Sequence, residues 1–108
     1  DVSWLRPDGE EMKHEDWQDP ERRVLGMCIH GEGDGEVDER GRPVVSDTLL
    51  LLVNAGRRPC YFRLPDHPKP GRWEKLLNTA RPGVQIVRLE GVNLAALSLI
   101  LLTHRAPE

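Results

Sequence analysis

Cysteine is scarce in this 108-residue sequence: Cys28 and Cys60 are the only two, and they form no C-x-x-C pair. Two cysteines do not make a disulfide framework. They read instead as two buried free thiols, which suits a cytoplasmic protein. Long apolar runs are also missing. The longest, from Leu94 to Leu102, is broken by Ser98, and it falls far short of the roughly 20 residues that span a bilayer. No basic segment followed by an apolar one marks a secretory signal at the first residues. Positive charge is not in excess, since the formal net charge is −3, and a nucleic-acid footprint needs clustered Lys and Arg. Neither a membrane nor a nucleic acid is therefore an expected partner. The first residue is Asp1 rather than Met, which reads as a piece of something longer.

What remains is the composition of one globular domain, with 38% hydrophobic and 31% charged residues. The length suffices for one real core without metal or disulfide staples. Ten glycines and nine prolines punctuate the chain at short intervals. Turns are expected at Arg6-Pro7-Asp8-Gly9, across Gly31–Gly41, at Asn54–Pro59, at Pro65–Gly71 and at Arg81-Pro82-Gly83. Between them lie apolar runs at Val2–Leu5, Val24–His30, Thr48–Asn54, Cys60–Leu64, Trp73–Thr79, Gln85–Leu89 and Ala95–Thr103. Short runs at such spacing predict an all-β fold: an antiparallel Greek-key β-sandwich of seven or eight strands with at most one short helix. Asp19-Pro20-Glu21 is the expected helix start, with Asp as cap and Pro at the first position.

Alternation assigns faces. Cys60, Phe62 and Leu64 should point inward, with Tyr61 and Arg63 outward; Val87 and Leu89 should share a face opposite Arg88. Leu49 to Val53 is apolar throughout, so it predicts a central strand covered on both sides, with Leu51 in the core. Ala95 to Leu102 is rich in Ala and Leu, which favours a helix by propensity, but its lack of a polar face reads as a strand. Charge is uneven: residues 1–47 carry 14 acids against 6 bases, residues 48–108 only 4 against 9.

Catalytic chemistry is hard to find. His14, His30, His67 and His104 are scattered without H-x-x-x-H spacing, and only His30 lies near a cysteine, two positions after Cys28. No metal site or cofactor is implied. Acids alternate from Asp34 to Asp38 as in a calcium loop, but Glu39 and Val45 stand where the glycine and the bidentate glutamate belong. Ser3, Ser46 and Ser98 have no G-x-S-x-G context, and no phosphate loop is present. No catalytic residue is assigned. The informative side chains are the three tryptophans among five aromatics. Trp73 opens a run in which Leu77 shares its face, so it is expected inside. Trp4 and Trp17 are candidate substrate-binding residues, since exposed indoles stack on sugars; the alternative for both is a packing role, docking the first strand and its turn onto the domain or a missing neighbour. Glu15, Asp16 and Gln18 around Trp17 offer hydrogen bonds to hydroxyl groups.

One stretch is more specific than composition. Val2-Ser3-Trp4-Leu5-Arg6-Pro7-Asp8-Gly9-Glu10-Glu11-Met12, followed by Glu15-Asp16-Trp17, resembles the segment just after the catalytic barrel in bacterial glycogen debranching enzymes, the isoamylase-type members of the alpha-amylase superfamily. Leu25-Gly26-Met27, Asp47 to Ala55, Phe62-Arg63-Leu64-Pro65, Trp73 to Ala80 and Leu97 to Leu102 continue the resemblance in order. The chain departs at Leu97, where that family usually has an arginine before the serine. The resemblance implies residues 1–108 as a single C-terminal β-sandwich whose partner is the catalytic (β/α)₈ barrel of the same polypeptide. It implies a retaining mechanism with an Asp nucleophile and a Glu acid/base in that barrel. None of those residues falls in this chain, and no cofactor is implied.

Three readings follow. The chain is a non-catalytic accessory domain of an enzyme that cleaves α-1,6 branch linkages; or a carbohydrate-binding module with a weak glucan site at Trp17 or Trp4; or a free-standing interaction domain.

Overall fold

A computed structural model describes residues 2–30, 48–67, 71–80, 85–86 and 90–105. The Gly31–Gly41 stretch, the Arg81-Pro82-Gly83 turn and the alternation at Val87 to Leu89 lie outside those residues. The described chain forms β1 (Val2–Leu5), α1 (His14–Trp17), β2 (Val24–Ile29), β3 (Thr48–Asn54), β4 (Cys60–Arg63), β5 (Arg72–Asn78), β6 (Gln85–Ile86), β7 (Gly91–Leu94) and β8 (Ser98–Arg105). Every ladder is antiparallel. Six strands make one sheet in the order β1-β2-β3-β8-β5-β6, and β4 pairs with β7 in a second. β3 pairs with β8 while β4 pairs with β7 on the other layer, the nested crossing of a Greek-key sandwich.

The two layers are unequal. The β4–β7 pair covers one face of the large sheet, and the core lies between them: Leu50, Leu52, Phe62, Leu94, Ile100 and Leu102 are fully buried. Close approach is possible because Gly26 stands under Phe62; a Cβ there would sit 2.7 Å from the tip of the ring and 3.2 Å from Leu52. Asn54 ties the layers at one end. Its amide nitrogen donates to the carbonyls of Arg58 (2.8 Å) and Leu94 (3.2 Å), and its Oδ1 accepts from Gly56 N–H at 2.9 Å. This fully satisfied buried amide also shapes the Asn54–Pro59 turn. The Arg6–Gly9 turn forms as expected, with Gly9 at φ 86° and its N–H donating to Arg6 O at 2.9 Å. It leans on β4, whose Arg63 N–H donates to Pro7 O at 2.8 Å.

Strand alternation then decides the opposite face. β3 buries Thr48, Leu50, Leu52 and Asn54, so Leu49, Leu51 and Val53 point the other way and are only partly covered. The strand is central, as its sequence predicts, but Leu51 lies outside the core. The registers align Trp4, Met27, Leu51, Leu101 and Leu77 in one row across five strands on that outer face. Leu25, Val53 and Leu99 make a second, shorter row.

Four further expectations need correction. The helix is α1, six residues earlier than expected, because Asp16 rather than Asp19 serves its N-terminus: Lys13 N–H donates to Asp16 Oδ2 at 2.7 Å. Asp19 instead turns the chain, accepting from Glu21 N–H at 2.9 Å. Leu77 does not share the face of Trp73. A bulge between Lys75 and Leu77 inserts one residue, so Leu77 faces outward and is 47% exposed while Trp73 is 7% exposed. The last strand begins at Ser98 rather than Ala95; Leu97 turns the chain at φ 53°. Cys28 is buried as expected, but Cys60 is only partly so.

Phe62→Ala should cost about 2–5 kcal/mol, since it empties the centre of the core. Arg63→Ala, on the exposed face of the same strand, should stay within about 0.5 kcal/mol. Gly26→Ala should cost about 1–3 kcal/mol by driving a methyl group into Phe62. Urea unfolding of the three variants checks the order; equal shifts for Phe62→Ala and Arg63→Ala contradict it.

Candidate functional site

Two places gather side chains capable of recognition. The first is built on β1 and α1. β1 directs Trp4 to the outer face, and the chain folds back so that Met12 N–H donates to Trp4 O at 2.8 Å. It then enters α1, a single turn held by charge rather than burial. Asp16 accepts from Lys13 N–H at one carboxylate oxygen, which also meets Arg6 Nη1 at 3.4 Å; its other oxygen meets Arg22 Nη2 at 3.2 Å. The Lys13 N–H hydrogen bond, followed by the charges of Arg6 and Arg22, holds the Asp16 carboxyl below its ordinary value of 3.8. This clasp presents Trp17 to Trp4 edge-on, with ring centroids 5.5 Å apart and planes at 77°. Trp4 is 39% and Trp17 53% exposed.

The two tryptophans singled out in the sequence are thus brought together. Beside Trp17 opens a cleft of about 380 Å³ with Met12, Leu25, Val53 and Ala55 as its apolar walls and Asp16, Asp19, Arg22 and Arg23 among its polar lining. Of the three polar residues expected around Trp17, only Asp16 lines it, and that carboxylate is committed to two guanidinium groups. Gln18 is turned to His14 at 3.2 Å.

The second place escaped the sequence reading. At one end of the inner face the register sets Thr48, His104 and Trp73 side by side on β3, β8 and β5. His67 comes from the segment after β4 and stacks on His104, with centroids 3.6 Å apart and planes within 8°. Thr48 Oγ1 lies 3.1 Å from His67 Nε2, and Ser3 Oγ lies 2.9 Å from His30 Nε2. Trp73 sits edge-on to His104 at 5.3 Å, and its indole N–H donates to Pro65 O at 3.3 Å. A cavity of about 270 Å³ adjoins this end, lined among others by Glu10, Glu11, Cys28, His30, Asp66 and His67. Histidines at 30, 67 and 104 are remote in sequence, and only the strand register reveals that they share one end.

The carboxyls of Asp8 and Asp16 are both held low, Asp8 chiefly by the N–H of Glu10, whereas a general acid needs a raised value. Burial pushes the Cys28 thiol up, away from the thiolate a nucleophile requires. Among the described residues no three His, Cys, Asp or Glu side chains converge as a metal site, and no helix is long and apolar enough to cross a membrane.

The family described as isoamylase, C-terminal, matches residues 1–95. The chain belongs to the isoamylase C-terminal family. Proteins named "Glycogen operon protein GlgX homolog" from Mycobacterium bovis and from two Mycobacterium tuberculosis strains are each 37% identical over 82 residues, which is 76% of this chain and 11% of theirs. This isoamylase C-terminal domain therefore spans about a tenth of the length of the curated relatives it matches. The match covers both tryptophans of the exposed pair and strands β1 to β7.

Two titrations test the geometry. Asp16 has a depressed value in the fold, so its contribution is complete above the unfolded value and disappears as pH falls through the folded one. The near-UV circular dichroism of the Trp4–Trp17 pair should hold steady down to the ordinary 3.8 and fade only below it; Asp16→Asn should weaken it at neutral pH. Burial, reinforced by the charge of His67, lowers His104 below its ordinary 6.5. A depressed histidine favours the fold above 6.5 and loses that advantage as pH falls through its folded value. Urea midpoints should decline below pH 6.5, and His104→Gln should flatten that decline.

Proposed function

We propose that this chain is a single non-catalytic accessory domain of an isoamylase-type glycogen debranching glycoside hydrolase, with its active site in another part of the same polypeptide. The observation that carries this reading is the family match over residues 1–95 on a domain whose shifted carboxyls both move away from general-acid chemistry. The parent enzyme would cleave α-1,6 branch linkages in glycogen or limit dextrin, in the cytoplasm, by a retaining mechanism with two carboxylates. The printed name of the mycobacterial relatives, glycogen operon protein, supports the glucan context.

A second reading keeps a weak glucan contact on the domain itself. It rests on Trp17, whose half-exposed indole borders a cleft with Asp19, Arg22 and Arg23 along it. A hexose could stack on that indole and hydrogen-bond to these groups. Trp4 fits this role less well, because its place in the outer apolar row accounts for it.

Reducing-end release from glycogen and limit dextrin separates the readings. The full-length parent should release sugar, and the 108-residue chain alone should not. Turnover by the purified chain, abolished by replacing one of its own carboxylates, would overturn the accessory reading. Tryptophan fluorescence titrated with maltooligosaccharide tests the second: a saturable change lost in Trp17→Ala supports it, and no response at millimolar sugar ends it.

A further inference from the structure

We infer that the turn between β3 and β4, with Arg23 beside it, is a binding site for a phosphate monoester, held by Arg23, Arg57 and Arg58. A small sugar phosphate and a phosphate borne on a glucan share this chemistry. Only the glucan as carrier rests on the proposed function.

The turn is fixed before any ligand arrives. Asn54, 1% exposed, holds Gly56 N–H and Arg58 O with its own amide. Ala55 N–H donates to Arg23 O at 2.8 Å, and Gly56 O accepts from Leu97 N–H at 3.1 Å. Arg23 packs directly on the turn: a Cβ at Gly56 would lie 3.2 Å from Arg23 Cβ and 3.6 Å from its Cγ. Arg23, Arg57 and Arg58 are all exposed. Arg22 is different, since Asp16 occupies it. Arg23 spends only Nη1, on the carbonyls of Pro20 and Arg22. Arg57 and Arg58 make no ion pair, and neither their guanidinium groups nor their backbone N–H groups donate to a described residue.

No acid offsets this charge from the neighbouring turns. Residues 55–59, 79–80 and 95–97 contain no Asp or Glu. Asp19 and Glu21 lie on the segment before Arg23, and Asp19 Oδ1 already accepts from Glu21 N–H. Residues 31–47 join the other ends of β2 and β3: Val24 faces Asn54 at this end, and Ile29 faces Leu49 at that one. Residues 81–84 join β5 to β6, and β8 stands between β5 and β3.

The donor set selects the ligand. Guanidinium forks match oxyanions, and a phosphate monoester offers three terminal oxygens and a charge near −2 at pH 7. Three guanidinium groups and two backbone N–H groups outnumber what a lone carboxylate can accept. A neutral hexose would seek an aromatic face, and residues 55–59 contain none. A nucleic acid needs an extended basic surface, whereas the formal net charge here is −3. Donors fixed in advance lower the ordering cost of binding.

Two assays of the full-length protein test this. Calorimetry compares glucose 6-phosphate with glucose. Native gels cast with phosphorylated amylopectin, or with the same glucan after phosphatase treatment, compare retardation. Phosphate-dependent binding in either assay should weaken about five- to tenfold when Arg57→Gln and Arg58→Gln are combined. It should persist in Arg63→Gln, an exposed arginine at the far end of β4. A response to glucose 6-phosphate alone assigns free sugar phosphates, and a response on the gels alone assigns the glucan-borne group. Absence of phosphate dependence in both assays overturns the proposal, as does dependence that survives the double variant. Tighter binding of polyglutamate at the same arginines overturns it in favour of an acidic protein partner. Debranching of the dephosphorylated glucan is scored separately: turnover without phosphate dependence sinks only this site, and phosphate dependence without turnover sinks only the proposed enzyme.

Discussion

The contact between Phe62 and Gly26 governs the rest of the molecule. A side chain at position 26 would collide with the ring, so the small layer can settle on the large sheet only where that strand offers bare backbone. Once the ring is seated, β2 has its inward set fixed as Val24, Gly26 and Cys28, and the antiparallel registers carry that choice to every neighbouring strand. A slip of one residue would turn each strand over, bringing Leu51 and Leu101 inside and putting Leu50 and Leu102 out. Both sets are leucine-rich, so hydrophobicity alone discriminates weakly between them. The glycine and the satisfied amide of Asn54 supply the discrimination.

This explains which parts of the fold were legible in the residues. β1 and β3 have the expected bounds because turn residues flank them, and Phe62 and Leu64 are interior because their strand alternates cleanly. The run from Leu49 to Val53 announced a central strand, but five consecutive apolar residues cannot say which faces inward. β7 was missed: Gly91-Val92-Asn93-Leu94 is short and starts with glycine, although Val92 and Leu94 do alternate inward. Asp19-Pro20 has good capping chemistry and is the stronger local signal for a helix start. Asp16 won because two arginines from different segments, Arg6 and Arg22, converge on it, a long-range circumstance that local propensity cannot show. The tryptophan pair was half visible, as two residues worth weighing; their edge-on contact depends on a fold-back through Met12. The histidine end was not visible, since His67 and His104 meet only through register and a layer crossing.

The molecule separates its polar and apolar resources spatially. Charge is spent on α1, where Asp16 holds a single turn that would have little helical tendency alone. Imidazoles, hydroxyls and one indole N–H occupy one end of the sandwich beside a small cavity, where Ser3 pairs with His30, Thr48 with His67, and the Trp73 N–H donates to Pro65 O. The broad outer face is left to aliphatic side chains and Trp4. That division is how this member of the isoamylase C-terminal family is laid out over its described residues.

The bulge in β5 has a consequence of its own. One additional residue lets a single strand serve the interior with Trp73 at its start and the exterior with Leu77 near its end. In a strictly alternating strand two positions four residues apart are locked to the same surroundings, so neither can vary in kind without the other. Here they are decoupled. The outward end can change in kind while the indole and its histidine companions stay as they are, and the inserted residue acts as a joint between two surroundings.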